Sequence, residues 1–152
     1  MCYKQAMGIQ LADRLQKLRG VKCAGVDATG DDAPPVAGNQ APELETTVRF
    51  EDGTKLSAVY WRLVHGRSPI SVFDHRQRYG LPAPIDAIQL LRKALQGQAV
   101  TSAELDRTTG DLRFGFESGA RLEVFNFTGY EIWEITFPDG TGELSNYALQ
   151  ES

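Results

Sequence analysis

Little in this sequence lends itself to covalent chemistry. Its two cysteines, Cys2 and Cys23, are too few for a disulfide framework or a zinc site. Its only histidines, His65 and His75, have Asp74 beside them but lack the convergent ligands a metal requires. No metal or other cofactor is expected. There is no G-x-S-x-G nucleophile, and Gly25, Gly30 and Gly38 lie scattered among prolines with no helix behind them to cradle a phosphate. Glu131 and Glu134, three positions apart on a strand, point to opposite faces and make a poor acid–base pair. Together these absences lead us to expect a protein that is not an enzyme. No apolar run approaches the roughly 20 residues that cross a bilayer. The first residues, MCYKQAMGIQ, lack the continuous apolar core of a signal peptide. The expectation is a cytoplasmic protein away from the membrane.

What is present reads as one folded domain over residues 1–152. The chain is 41% hydrophobic and 24% charged, ordinary for a globular protein. At this length it can bury roughly two-thirds of its unfolded surface. The densest apolar stretch is Gly110 to Phe137. Leu112, Phe114 and Phe116 alternate with Arg113, Gly115 and Glu117, the period of a half-buried strand. Ser118-Gly119 turns the chain, Leu122 to Phe127 returns, and Tyr130 to Phe137 adds a third strand ended by Pro138-Asp139-Gly140. Earlier, Thr46, Val48 and Phe50 run into Asp52-Gly53, a hairpin signal, and Lys55 to Val64 returns. Phe50-Glu51-Asp52-Gly53-Thr54-Lys55-Leu56 and Phe116-Glu117-Ser118-Gly119-Ala120-Arg121-Leu122 share the pattern F-E-x-G-x-(K/R)-L. The repeat suggests two similar hairpins feeding one sheet, or two packed sheets.

Two helices are expected. Met7, Leu11, Leu15 and Leu18 make an apolar stripe over 3–19, stopped by Gly20. Ile85, Ile88, Leu91 and Leu95, with Ala87, Leu90 and Ala94 beside them, make a wider face over 85–97, with Pro84 at the start and Gly97 at the end. Short strands are expected over 21–26, 70–73 and 99–106. Residues 29–42, rich in Gly, Pro, Asp and Asn, read as an exposed loop, and 141–152 as a fraying tail in which Leu144, Tyr147 and Leu149 could dock. The class is therefore α+β, a largely antiparallel sheet of about six to eight strands with two helices.

Charge suggests partners. Residues 117–152 hold seven acids against one base, whereas 1–116 hold thirteen acids and fifteen bases. The acidic quarter carries Glu131, Glu134, Asp139 and Glu143 close to Tyr130 and Trp133, which suits an interface for a basic protein. Burial of Trp133 in the core is the competing reading. A second cluster, His65, Arg67, His75, Arg76, Arg78 and Tyr79, mixes bases with an aromatic and could hold a small ligand or nucleic acid. The net charge of −4 and the lack of a reader motif place nucleic acid second to a protein partner. A monomer or weak dimer is expected.

Residues 97–140, with Gly110-Asp111-Leu112-Arg113-Phe114, Phe116-Glu117-Ser118-Gly119 and Tyr130-Glu131-Ile132-Trp133, also resemble small bacterial proteins similar to immunity proteins of polymorphic toxin systems. The resemblance implies a protein that binds and neutralises a toxin domain, and it carries over no catalytic residues.

Overall fold

The computed structural model describes residues 11–30, 44–127 and 132–145. Two helices, α1 (residues 11–16) and α2 (Ala87–Leu95), accompany ten strands. In chain order these are β1 (Cys23–Thr29), β2 (Glu45–Phe50), β3 (Lys55–Ala58), β4 (Trp61–His65) and β5 (Ser68–Ser71), then β6 (Val100–Leu105), β7 (Leu112–Phe116), β8 (Arg121–Val124), β9 (Trp133–Thr136) and β10 (Gly142–Leu144). A short 3-10 turn, Val72–Asp74, follows β5. The strands form two five-stranded antiparallel sheets, ordered β1-β2-β3-β9-β10 and β5-β4-β8-β7-β6. The α+β class and antiparallel pairing agree with the sequence reading, but the strand count exceeds it. The run from Lys55 to Val64, read as one strand, is two. The chain leaves the first sheet after Ala58, bends at Val59-Tyr60, and enters the second sheet at Trp61. The polar tail contributes a further strand, because Ser145 is buried and its hydroxyl accepts the N–H groups of Ile132 and Trp133. The helix expected over 3–19 is described only from residue 11, and the exposed loop expected over 29–42 lies outside the described residues from residue 31 onward.

The two sheets are built from one repeated unit. Each half of the chain runs helix, three-stranded meander, then a hairpin that leaves its own meander and pairs with the other. Thus β4 pairs with β8, and β9 pairs with β3. The hydrogen bonds joining the halves are reciprocal. Gly20 N–H donates to Val100 O at 2.7 Å, and Gly97 N–H donates to Cys23 O at 2.8 Å. Val100 N–H donates to Val21 O, and Cys23 N–H to Gln98 O, each at 2.9 Å. Gly20 ends the turns that follow α1 and Gly97 follows the end of α2, at φ of 87° and 81°, a conformation that suits a residue with no Cβ. Both meanders carry a register irregularity at matching places, between Cys23 and Gly25 and between Val100 and Ser102. The seven-residue likeness in the sequence is thus the visible part of a repeat that spans each half.

Three hairpins share one turn. At Phe50–Thr54, Phe116–Ala120 and Phe137–Thr141 the first residue's N–H donates to the last residue's carbonyl, at 2.9, 2.9 and 2.7 Å. Glycine takes positive φ at the fourth position each time, as Gly53, Gly119 and Gly140. The third residue's side chain accepts the last residue's N–H, from Thr54 to Asp52, from Ala120 to Ser118 and from Thr141 to Asp139. The third copy, Phe137-Pro138-Asp139-Gly140-Thr141, reads in the sequence only as a stop signal.

Inward side chains from both sheets meet α2 in one core. Val48, Leu56, Leu122, Val124 and Leu91 converge beside Trp61, and the rings of Phe50 and Phe114 lie 6.2 Å apart. Trp61 and Trp133 open the two exchanged hairpins and are both fully buried. Each indole N–H is satisfied, from Trp61 to Thr46 Oγ1 at 3.0 Å and from Trp133 to Gly110 O at 2.8 Å. At the start of α2, Asp86 accepts the Gln89 N–H as N-cap and His75 Nδ1 accepts the Ala87 N–H at 3.0 Å.

Candidate functional site

The described members of the acidic cluster expected near Trp133 do not share one surface. Trp133 is 1% exposed and offers nothing to a partner, because it sits on the inward face of β9 with Ile135 and Phe137. Glu134 alternates with it and lies on the opposite, exposed face. Asp139 is in the β9–β10 turn, where Arg14 Nη2 bonds it at 2.9 Å. The Thr141 hydroxyl and N–H, then Arg14, hold the Asp139 carboxyl down at about 2, so it stays charged. Glu143 is half-buried on the inward side of β10, and that burial raises its pKa while Arg14 opposes the rise. Tyr130 and Glu131 lie outside the described residues.

The basic cluster divides as well. His65 and Arg67 are exposed at the tip of the β4–β5 hairpin, where His65 pairs with Ser68. Arg62 pairs with Ser71 at the hairpin's other end, and the 3-10 turn and residues 75–79 follow from there. The length of β4 therefore separates the two groups, at roughly 3.3 Å per residue. His75 is buried as part of the helix start, whereas Arg78 and Tyr79 are exposed. Tyr79 and Arg76 both take positive φ, at 47° and 69°, and the Tyr79 hydroxyl donates to Asp74 Oδ1 at 2.9 Å. That bond raises the phenol's pKa.

What the structure does bring together is a ladder of aromatic rings. Phe73 stacks on Tyr60 at 5.8 Å and 10° between planes. Tyr60 meets Phe127 at 5.1 Å, and Phe127 stacks on Phe125 at 5.5 Å and 4°. The Arg62 guanidinium lies 5.3 Å from the Phe125 ring centre and bonds Glu123 Oε1 at 2.8 Å. Phe127 is 60% exposed and Phe73 43%. The rings come from three separate places, the bend before β4, the turn after β5 and the end of β8. The sequence reading looks for displayed aromatics at Tyr130 and Trp133 instead, because the register that brings Tyr60 and Phe73 to Phe127 is tertiary. Two of the four rings, Phe73 and Phe127, thus present apolar surface to solvent, while Tyr60 and Phe125 are half-buried beneath them.

Nothing among the described residues forms a catalytic constellation. Burial pushes the Cys23 thiol up to about 11, so it stays protonated and inert. No group of three or more His, Cys, Asp or Glu could hold a metal among the described residues. The eight-residue-lined space between the sheets, enclosed by Thr46, Trp61 and Leu91 among others, is apolar and too tight for water. No described helix is long and apolar enough to cross a membrane.

One buried polar group stands out. Thr54, 1% exposed, has a hydroxyl with no hydrogen-bond partner among the described residues. Its counterpart in the second hairpin is Ala120, equally buried, so the turn does not need the hydroxyl. Thr54→Val exchanges it for a methyl of the same shape. We expect the variant to be more stable by about 1 kcal/mol, read from the denaturant midpoint at constant slope. A lower midpoint would mean that the hydroxyl has a partner in solution.

No protein-family model, curated protein or solved structure matches this chain.

Proposed function

We propose that this chain is a non-catalytic protein-binding module that docks its partner on the aromatic ladder, and that the partner is a bacterial toxin domain which it neutralises. The exposed ladder carries the reading. Four contacting rings backed by a guanidinium have the composition of an interface hot spot, in which aromatics and Arg dominate the binding energy. The rings are held by stacking on one another, so little side-chain freedom remains to be lost on docking. The resemblance of residues 97–140 to immunity proteins supports the choice of partner. The net charge of −4 suits a basic partner, since it would steer encounter and raise the association rate.

The test is to capture partners from the native host, express each captured protein alone, and ask whether it is toxic and whether this chain relieves the toxicity. Phe127→Ala should weaken the complex by about 2 kcal/mol, roughly thirtyfold in Kd, while the exposed site leaves folding stability unchanged. Equal affinity of the variant and the parent chain would move the interface elsewhere. Steeply salt-dependent binding of single-stranded nucleic acid at micromolar protein would instead favour bases stacking on the same rings. Against that alternative, Glu123 sits close to both Arg62 and Arg121, at 2.8 and 3.9 Å, and the cluster at 65–79 is divided.

A further inference from the structure

We propose that the cleft between α1 and the tips of two hairpins binds a free amino acid with an aliphatic side chain, a small zwitterion. The cleft holds about 230 Å³ and is lined by Arg14, Lys17, Asp52, Thr54, Phe137 and Asp139 among others. That volume falls below the roughly 300–1,000 Å³ of sites for drug-sized ligands and suits a single small molecule.

The internal repeat supplies the comparison that singles this cleft out. Leu18 and Leu95 occupy matching places, since Val21 N–H donates to Leu18 O and Gln98 N–H to Leu95 O, each at 2.9 Å. Beside Leu18 the first helix segment carries Lys17, where the second carries Ala94. In the hairpins Asp52 and Thr54 match Ser118 and Ala120. Ser118 caps its turn with a hydroxyl, so the turn requires only an oxygen, and the negative charge of Asp52 is surplus to it. The first half therefore departs from the second at the cleft, and each departure adds a polar or charged group that the shared fold does without.

The charge balance selects the ligand class. Arg14 is already committed, bonded to Asp139 and to the Thr141 hydroxyl with its guanidinium 3.9 Å over the Phe137 ring. Lys17 and Asp52 form no ion pair among the described residues. One unpaired cation and one unpaired anion face the same small space, which disfavours a polyanion and fits a molecule carrying both signs. A ligand carboxylate would meet the Lys17 ammonium. A ligand ammonium would meet Asp52, with the buried, unpartnered Thr54 hydroxyl in the wall behind it. The aliphatic part would lie against the exposed Pro138 at the cleft's edge, since Phe137 is buried beneath the Arg14 guanidinium. This site stands apart from the aromatic ladder, and neither reading depends on the other.

The experiment uses the full chain, labelled with nitrogen-15, titrated with L-leucine while the amide signals of Gly53, Thr54 and Gly140 are followed. L-Leucinamide, which lacks the carboxylate, and N-acetyl-L-leucine, which lacks the ammonium, are titrated in parallel. Saturable shifts are expected with leucine below about 10 mM, and at least about tenfold weaker binding of both analogues. Lys17→Met and Asp52→Asn should each weaken leucine about tenfold. Asn at position 52 can still accept the Thr54 N–H, so the hairpin survives the loss of charge. The proposal is overturned by the absence of saturable shifts, by analogues that bind as well as leucine, or by variants that bind it unchanged.

Discussion

Trp133→Ala is expected to destabilise the protein by about 3–5 kcal/mol, enough to leave little folded chain at physiological temperature. The indole is 1% exposed and opens the hairpin that the second half lends to the first sheet. Its loss removes packing on the inward face of β9 and also leaves the Gly110 carbonyl without its 2.8 Å donor. Trp133→Phe separates the two terms. It keeps most of the ring volume and should cost about 1–3 kcal/mol, chiefly through the orphaned carbonyl. Because β9 pairs with β3 of the other half, we expect one cooperative transition by both fluorescence and circular dichroism. A folded Trp133→Ala variant with an unchanged unfolding midpoint would contradict the core assignment and return the residue to the surface.

Leu91→Ala is the second large effect, expected at about 2–5 kcal/mol and a fall in Tm on the order of 10 °C. Leu91 is fully buried and joins residues of both sheets around Trp61. The truncation leaves a cavity that neither sheet can fill, since each is held by its own ladder. Leu90, one position away, is 41% exposed, and Leu90→Ala should stay within about 0.5 kcal/mol of the parent. Thermal or denaturant unfolding of the pair tests the orientation of α2 directly. Equal losses at the two positions would mean that the helix is rotated from the place described.

Local patterning made several elements legible. The period of two in Thr46-Thr47-Val48-Arg49-Phe50 and in Leu112 to Phe116 placed β2 and β7 with the correct faces inward. The stripe Ile88, Leu91, Leu95 and the end at Gly97 placed α2, although Asp86 proves to be the N-cap and the helix begins at Ala87. Asp52-Gly53 and Ser118-Gly119 marked the first two turns. These features depend on neighbours within a few residues, so the chain carries them wherever it is read.

Three things depended on tertiary structure. The exchange of hairpins between halves was hidden because Val59-Tyr60 is apolar and aromatic, and a change of sheet there looks like a continuing strand. The described members of the expected acidic interface are dispersed because alternation along β9 sends Trp133 inward and Glu134 outward, and because Asp139 belongs to a turn and faces Arg14. The aromatic ladder and the polar cleft each gather residues from separate elements, and only the pairing of β4 with β8 and of β9 with β3 brings those elements together. Periodicity reports which face of a strand is apolar, but it says nothing about which strand lies alongside. That partner is chosen by burying both apolar faces at once, and with two nearly equivalent halves the chain met this demand by crossing each hairpin into the other half's sheet.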